Sequence, residues 1–308
     1  MTSRAFVFPG QGSQKVGMGR DLFQETDLGR RRYEQANMIL DLDIAAISFT
    51  GPDELLKRTS LTQPAIFVNS VILGELLLER GQLPSFCAGH SLGEYSALTV
   101  AGAMAFEDGL KLVRIRGELM EKAGRSRPGT MAAVMGLNRM EVTRICREAS
   151  SHGTVKPANF NSQNQIVISG DKEGVRRAMD LARRLGAVRV TELKVSAAFH
   201  SPLMTPAKGA LSETLENTNI GEPAFPIVMN VTAEPTTDPA RIRENLIDQL
   251  DHPVRWLDSV VALKELDVTE FVEVGPGRVL QALIRRIDGA LSTWGVQSLM
   301  DLNRLEHV

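Results

Sequence analysis

Residues 88–95 read AGHSLGEY, and the glycines two places before and after the serine make the pattern G-x-S-x-G: Gly89, Ser91, Gly93. Just upstream, PSFCAG (84–89) is a short apolar run that reads as a buried strand. Just downstream, LGEYSALTVAGA (92–103) has helical spacing. Ser91 is therefore expected at a strand-to-helix corner of an α/β protein. Glycines without Cβ atoms allow the sharp turn, and the Leu92 backbone N–H falls at a helix N-terminus, where the dipole favours a developing anion. A nucleophilic serine needs this exposure, a base within reach and oxyanion donors. The same eight residues also fit a serine that merely caps the helix.

Working outward, RAFVFPGQGSQ (4–14) is a strand that breaks into a Gly-rich loop at Pro9-Gly10. That loop is not a phosphate loop, because no Gly-Lys-Ser/Thr follows. A helix is expected from about Thr62 or Gln63 to Arg80, stopped by Gly81, and another from Phe106 to about Ala123. Past Arg125 the texture changes. MAAVMG (131–136), NRMEVTRICREAS (138–150), VKPANFNS (155–162), QIVISG (165–170), DKEGVRRAMDLARRLG (171–186) and AVRVTELK (187–194) run strand, helix, strand, strand, helix, strand. That order predicts a small ferredoxin-like βαββαβ domain over 126–195. FPIVMNVTA (225–233) and TEFVEVGP (269–276) then read as further strands of the first sheet. The expected architecture is a large, discontinuous α/β-hydrolase-like domain with a parallel sheet, residues 1–125 and 196–308, carrying the small domain as an insertion.

Composition sets bounds on the function. The 308 residues are 43% hydrophobic and 23% charged with net charge −2, which argues against nucleic acid as a partner. The start does not resemble a signal peptide, and no stretch of about 18 apolar residues stands out, so a cytoplasmic protein without membrane attachment is expected. Cys87 and Cys146 are far apart and read as reduced packing residues. None of His90, His152, His200, His252 and His307 pairs at a metal-binding interval, so no metal is expected.

Two histidines compete as base for Ser91. His90 is adjacent, but neighbouring side chains at a corner diverge, which favours a structural role. His200, in SAAFHSPLM (196–204), lies in a loop where the chain re-enters the large domain, and such loops carry catalytic groups. In FEDGLKLVRIRGELMEKA (106–123), helical spacing puts Arg114 beside Lys111 and Glu118 on a solvated face. Arg116 falls beside Leu112, Leu119 and Met120 on the apolar face. A cation there needs an anion, either a protein carboxylate or a ligand. Gln11 can donate its amide or backbone N–H into a site or belong to a plain turn. VEVGPGRVL (272–280) reads as a structural turn into a helix.

Together, FPGQGSQ, LTQPAIF, GHSLGEYSAL, RGELM, ANFNS with QIVISG, AAFHSPLM, NVTAEP, QLDHPVRW and VEVGPG occur in the family order of malonyl-CoA:acyl carrier protein transacylases, and the chain resembles that family and the acyltransferase domains of polyketide synthases along nearly its whole length. The resemblance implies that Ser91 carries the malonyl group as an ester and that His200 is general base and then acid. It also implies that a backbone carbonyl, here that of Gln249, orients the histidine, and that Gln11 and Leu92 supply oxyanion-hole N–H groups. Arg116 would hold the free malonyl carboxylate, with Met120 and Phe199 lining the acyl pocket. Malonyl-CoA and a phosphopantetheinylated acyl carrier protein are the implied partners, the resemblance implies no bound cofactor, and a monomer is expected. Two rivals stand beside this reading: an α/β serine hydrolase, which needs an acid between serine and histidine and has no use for Arg116, and a non-catalytic carrier-binding or scaffold protein, against which Ser91, His200, Arg116 and Gln11 together argue; within the transacylase reading, a trans-acting acyltransferase of a polyketide assembly line stays open. One departure is Gln163, where close relatives often have proline.

Overall fold

The computed structural model describes the backbone of residues 3–307 and the side chains through residue 305; the side chain of His307 lies outside the described residues. The first strand, β1 (Ser3–Phe8), shows why both faces of the main sheet are covered. Strand residues alternate sides, and Phe6 and Phe8 enter one core while Ala5 and Val7 enter a second. The chain then winds through α1 (Arg20–Glu25), α2 (Asp27–Leu40), α3 (Ile44–Thr50), α4 (Asp53–Leu56) and the long α5 (Thr59–Glu79). It returns as β2 (Phe86–Gly89), parallel to β1, and passes the serine corner into α6 (Gly93–Val100) and α7 (Phe106–Ser126).

A second sheet follows, formed by β3 (Gly129–Met135), β4 (Val155–Ser162), β5 (Gln165–Asp171) and β6 (Arg189–Glu192), with α8 (Arg139–Ala149) and α9 (Lys172–Arg184) between strands. Its order is β4-β5-β3-β6 and every pairing is antiparallel. Val142 and Ile145 of α8 and Val175 and Ala178 of α9 pack on Ala132, Val134, Ile166 and Ile168, so this sheet has its own core.

The chain then rejoins the first body through α10 (Thr205–Glu216), β7 (Ile227–Val228), β8 (Pro235–Thr236), α11 (Pro239–Asp248), α12 (Trp256–Glu265), β9 (Val268–Val274), α13 (Val279–Ile287), β10 (Ser292–Val296) and α14 (Leu299–Asn303). The main sheet has the order β10-β9-β1-β2-β7-β8, parallel except for the β7–β8 edge. The exit and return crossings touch: a Cβ on Gly124 would lie 2.4 Å from that of Ala197. The sheets are also stitched together, with Phe160 N–H donating to the Val254 carbonyl (2.9 Å) and Val254 N–H to Ala158 (2.8 Å).

Three expectations are corrected. The helix α5 starts a turn early, at Thr59, with Pro64 inside it. Glu121 of α7 accepts from the Ser60 N–H (2.8 Å) and hydroxyl (2.9 Å), capping that first turn from a distance. Pro64 cannot bond to the Ser60 carbonyl, and Arg114 donates to it instead (3.2 Å) while pairing with Glu118, so Arg114 is more than a solvated charge. Second, α5 is long and apolar enough to cross a membrane, although no such stretch was expected; in the fold 89% of its apolar window is buried against the rest of the protein. Third, the strand expected over 225–233 shrinks to two residues, because the chain turns tightly at Met229–Ala233, with Ala233 N–H on the Met229 carbonyl (2.8 Å).

Candidate active site

The serine corner is forced by contact. A Cβ on Gly89 would sit 1.9 Å from the Gly93 carbonyl carbon, and one on Gly93 would sit 2.0 Å from the Phe8 carbonyl oxygen. Helix α6 therefore packs its first turn directly onto β1 and β2, and the residue between must turn back sharply. Ser91 does so at φ 53°, left-handed backbone that a non-glycine residue occupies only when its surroundings hold it there. The Asn230 side chain holds it: Oδ1 accepts from Ser91 N–H (2.7 Å) and Nδ2 donates to the Gly89 carbonyl (2.6 Å). The serine does not cap α6; the hydroxyl is spent elsewhere.

Ser91 Oγ lies 2.8 Å from His200 Nε2. On the other side of the ring, Nδ1 lies 2.8 Å from the Gln249 carbonyl oxygen. A carbonyl only accepts, so Nδ1 carries the proton and Nε2 is free to take the serine's. Burial, with Arg116 nearby, pulls the His200 pKa down to about 3, against the opposing Gln249 carbonyl. The imidazole is thus neutral, the form a base needs. The third place beside the histidine is held by a carbonyl and not by an acid.

Arg116 is 1% exposed, as its apolar-face position predicted. Its guanidinium donates to Ser91 Oγ (2.9 Å), Gln249 Oε1 (2.8 Å) and Gln63 Oε1 (2.9 Å) and lies 5.5 Å from the Tyr95 ring centroid. Among the described residues no carboxylate pairs with it directly, and its Nε–H has no partner. Of the two anions left open by the sequence, the protein carboxylate is missing from direct contact. A buried carboxyl, Glu94, stands behind Gln249 and accepts from its amide. Burial pushes its pKa up, against the Asn230 N–H, the Gln249 amide and Arg116.

A cavity of about 220 Å³ opens over these groups. It brings together Gln11, Ser91, Leu92, Arg116, Met120, Phe199 and His200, while Gln249 supports them from behind. The Gln11 side chain donates to Thr59 Oγ1 (3.2 Å), and among the described residues the backbone N–H groups of Gln11 and Leu92 have no protein acceptor. His90 lines the same cavity; its Nε2 is 2.9 Å from Asn161 Oδ1 and its ring sits against Trp256. Gln163 donates to the Ile287 carbonyl (3.2 Å), tying the β4–β5 turn to α13. Among the described residues no three His, Cys, Asp or Glu side chains gather as a metal site.

Sequence reasoning missed Asn230, Glu94 and Gln63. Each is a buried polar side chain in an otherwise apolar stretch, and that mismatch was the available signal.

The model of the family described as "Acyl transferase domain" matches residues 5–292. The chain is 41% identical to the malonyl CoA-acyl carrier protein transacylase of Bacillus subtilis, over 96% of this chain and 94% of that protein. Among solved structures it superposes on an acyl carrier protein S-malonyltransferase from Vibrio cholerae with TM-score 0.95 and 39% identity, covering 99% and 100% of the two chains. It superposes equally, TM-score 0.95 and 40% identity over the whole of both chains, on a malonyl-transacylase solved in complex with its type II PKS acyl-carrier protein.

Proposed function

The chain belongs to the acyl transferase family, among its malonyl-CoA:acyl carrier protein transacylases, and we propose from its geometry which residues do the work. The enzyme moves the malonyl group from malonyl-CoA to the phosphopantetheine thiol of acyl carrier protein, supplying extender units for fatty acid synthesis through a serine ester. One observation carries the residue assignment: imidazole and guanidinium converge on a single hydroxyl, Ser91 Oγ, at 2.8 and 2.9 Å.

In the first half-reaction Ser91 Oγ attacks the thioester carbon as His200 Nε2 takes its proton. The backbone N–H groups of Gln11 and Leu92 receive the oxyanion. Collapse breaks the C–S bond, and His200 returns the proton to the CoA sulfur. In the second half the carrier's thiol gives its proton to His200 and attacks the ester carbon, and Ser91 Oγ leaves with that proton. An ester on Ser91 puts a malonyl carboxylate within reach of Arg116, whose unpartnered Nε–H and planar fork suit it. Acetyl lacks that carboxylate and leaves the open Arg116 Nε–H without an acceptor. Met120 and Phe199 shape the acyl pocket.

We assign the two sheets to two domains, 1–125 with 196–308 and 126–195, and read the smaller as ferredoxin-like from its strand order and one-sided helices. We place the enzyme in the cytoplasm. The likeness to a transacylase of a type II polyketide system supports the second reading, service to a polyketide assembly line, which carrier preference distinguishes.

The test is loading of Ser91 by malonyl-CoA and acetyl-CoA. Arg116→Ala should cut the malonyl-over-acetyl ratio about 10²-fold, as expected for loss of a buried charged hydrogen-bonding partner. An unchanged ratio removes Arg116 from the acyl site.

A further inference from the structure

Behind the reacting groups a buried polar chain runs from Arg116 through Gln249 to Glu94, a carboxyl that the transfer mechanism does not use. Glu94 sits in the first turn of α6, fully buried, where the helix N-terminus favours negative charge. Its Oε1 accepts from the Asn230 backbone N–H (2.6 Å) and its Oε2 from Gln249 Nε2 (2.6 Å). Gln249 Nε2 also donates to the Ser91 carbonyl (2.9 Å), and Gln249 Oε1 accepts from Arg116 (2.8 Å). All three partners specify one orientation of this amide. Flipped, its NH2 would face the guanidinium and its oxygen would face two oxygens. Burial raises the pKa of the Glu94 carboxyl to about 8, but both its oxygens meet N–H donors and no acceptor faces it for an acid O–H among the described residues, so the geometry favours the carboxylate.

We propose that Glu94 is a positioning residue for acyl selection: it is the counter-charge of Arg116, kept one amide away so that the guanidinium is oriented and balanced yet open to a substrate carboxylate. A carboxylate in direct contact would neutralise Arg116 and compete with the malonyl group. No carboxylate at all would free Gln249 to rotate and leave Arg116 isolated in a buried place. The same carboxylate also steadies the strained serine from both ends, through Asn230 at its N–H and Gln249 at its carbonyl.

This inference rests on the reading of Arg116 as the malonyl-binding residue, and the experiment separates the two. Wild type, Arg116→Ala and Glu94→Gln are loaded with malonyl-CoA and acetyl-CoA, and Ser91 occupancy is followed by intact mass. The amide at 94 points NH2 at one of two N–H donors, so Glu94→Gln should raise the KM for malonyl-CoA and cut the malonyl-over-acetyl ratio by about tenfold or more. Acetyl loading should fall much less, which a general loss of structure would not produce. If Arg116→Ala loses the preference and Glu94→Gln keeps the wild-type ratio, the Glu94 proposal is overturned and the Arg116 reading survives. If Arg116→Ala itself keeps the preference, both fall. Should Glu94→Gln not fold, the exchange Glu94→Gln with Gln249→Glu keeps size and total charge but seats the carboxylate on Arg116. It should fold and load malonyl no better than acetyl; retained malonyl preference in that double variant overturns the proposal.

Discussion

At the scale of the residue, the reactivity proposed for Ser91 rests on what surrounds it more than on the serine itself. Its hydroxyl donates to a neutral imidazole and accepts from a guanidinium, so the proton is drawn one way while positive charge stands by the oxygen. His200→Ala should slow malonylation of Ser91 by about 10²- to 10⁴-fold with the fold retained by circular dichroism. Near-normal acylation would return the base to His90. Because the folded pKa of His200 is lowered to about 3 from 6.5, kcat/KM for malonyl-CoA should show no histidine inflection between pH 5 and 7. An inflection there that His200→Ala removes would contradict this. The stability sign follows from the same shift. Above pH 6.5 the imidazole is neutral folded and unfolded and contributes no pH dependence. Below it the unfolded chain binds a proton that the native site refuses, so stability falls from pH 6.5 toward 3. Denaturant midpoints should show that fall, and His200→Ala should lessen it. Ser91, His200 and Arg116 were legible because each stands in a distinctive local pattern. Whether Arg116 met a carboxylate was not, since Gln63 and Gln249 lie far away in sequence.

At the scale of the element, the serine corner depends on pieces brought from three places: the β2–α6 corner, the β7–β8 turn with Asn230, and the end of α11 with Gln249. Asn230→Ala leaves the Ser91 N–H and the Gly89 carbonyl buried without partners. It should cost about 1–3 kcal/mol in urea unfolding and slow acylation together, because the φ 53° backbone of Ser91 loses a support. Loss of stability with wild-type acylation would show that the corner holds its shape without Asn230. Strands and helices with strong periodicity, such as β1, α8 and α9, could be read directly. The start of α5 could not, since its first turn is capped by Glu121 from another helix. The shortened β7 was hidden too, because its apolar run continues into a turn whose purpose, aiming Asn230 at the serine, is a tertiary one.

At the scale of the whole molecule, the cavity lies where the two sheets meet. The main sheet contributes Ser91 at its C-terminal edge, and Asn161 of β4 reaches across to His90 (2.9 Å). The segments that lead into and out of the second sheet touch at Gly124 and Ala197. The strand order βαββαβ was readable from turn signals, whereas the β4 contact with Val254 was not, being a pairing of segments far apart in the chain. The central claim, that Ser91 carries an acyl group between two thiols, is tested most directly by intact-protein mass spectrometry in two steps. Mixing with malonyl-CoA should add one malonyl group, mapped to Ser91, and adding a phosphopantetheinylated carrier protein should move that mass to the carrier. No adduct, an adduct elsewhere, or one lost only to water would contradict it.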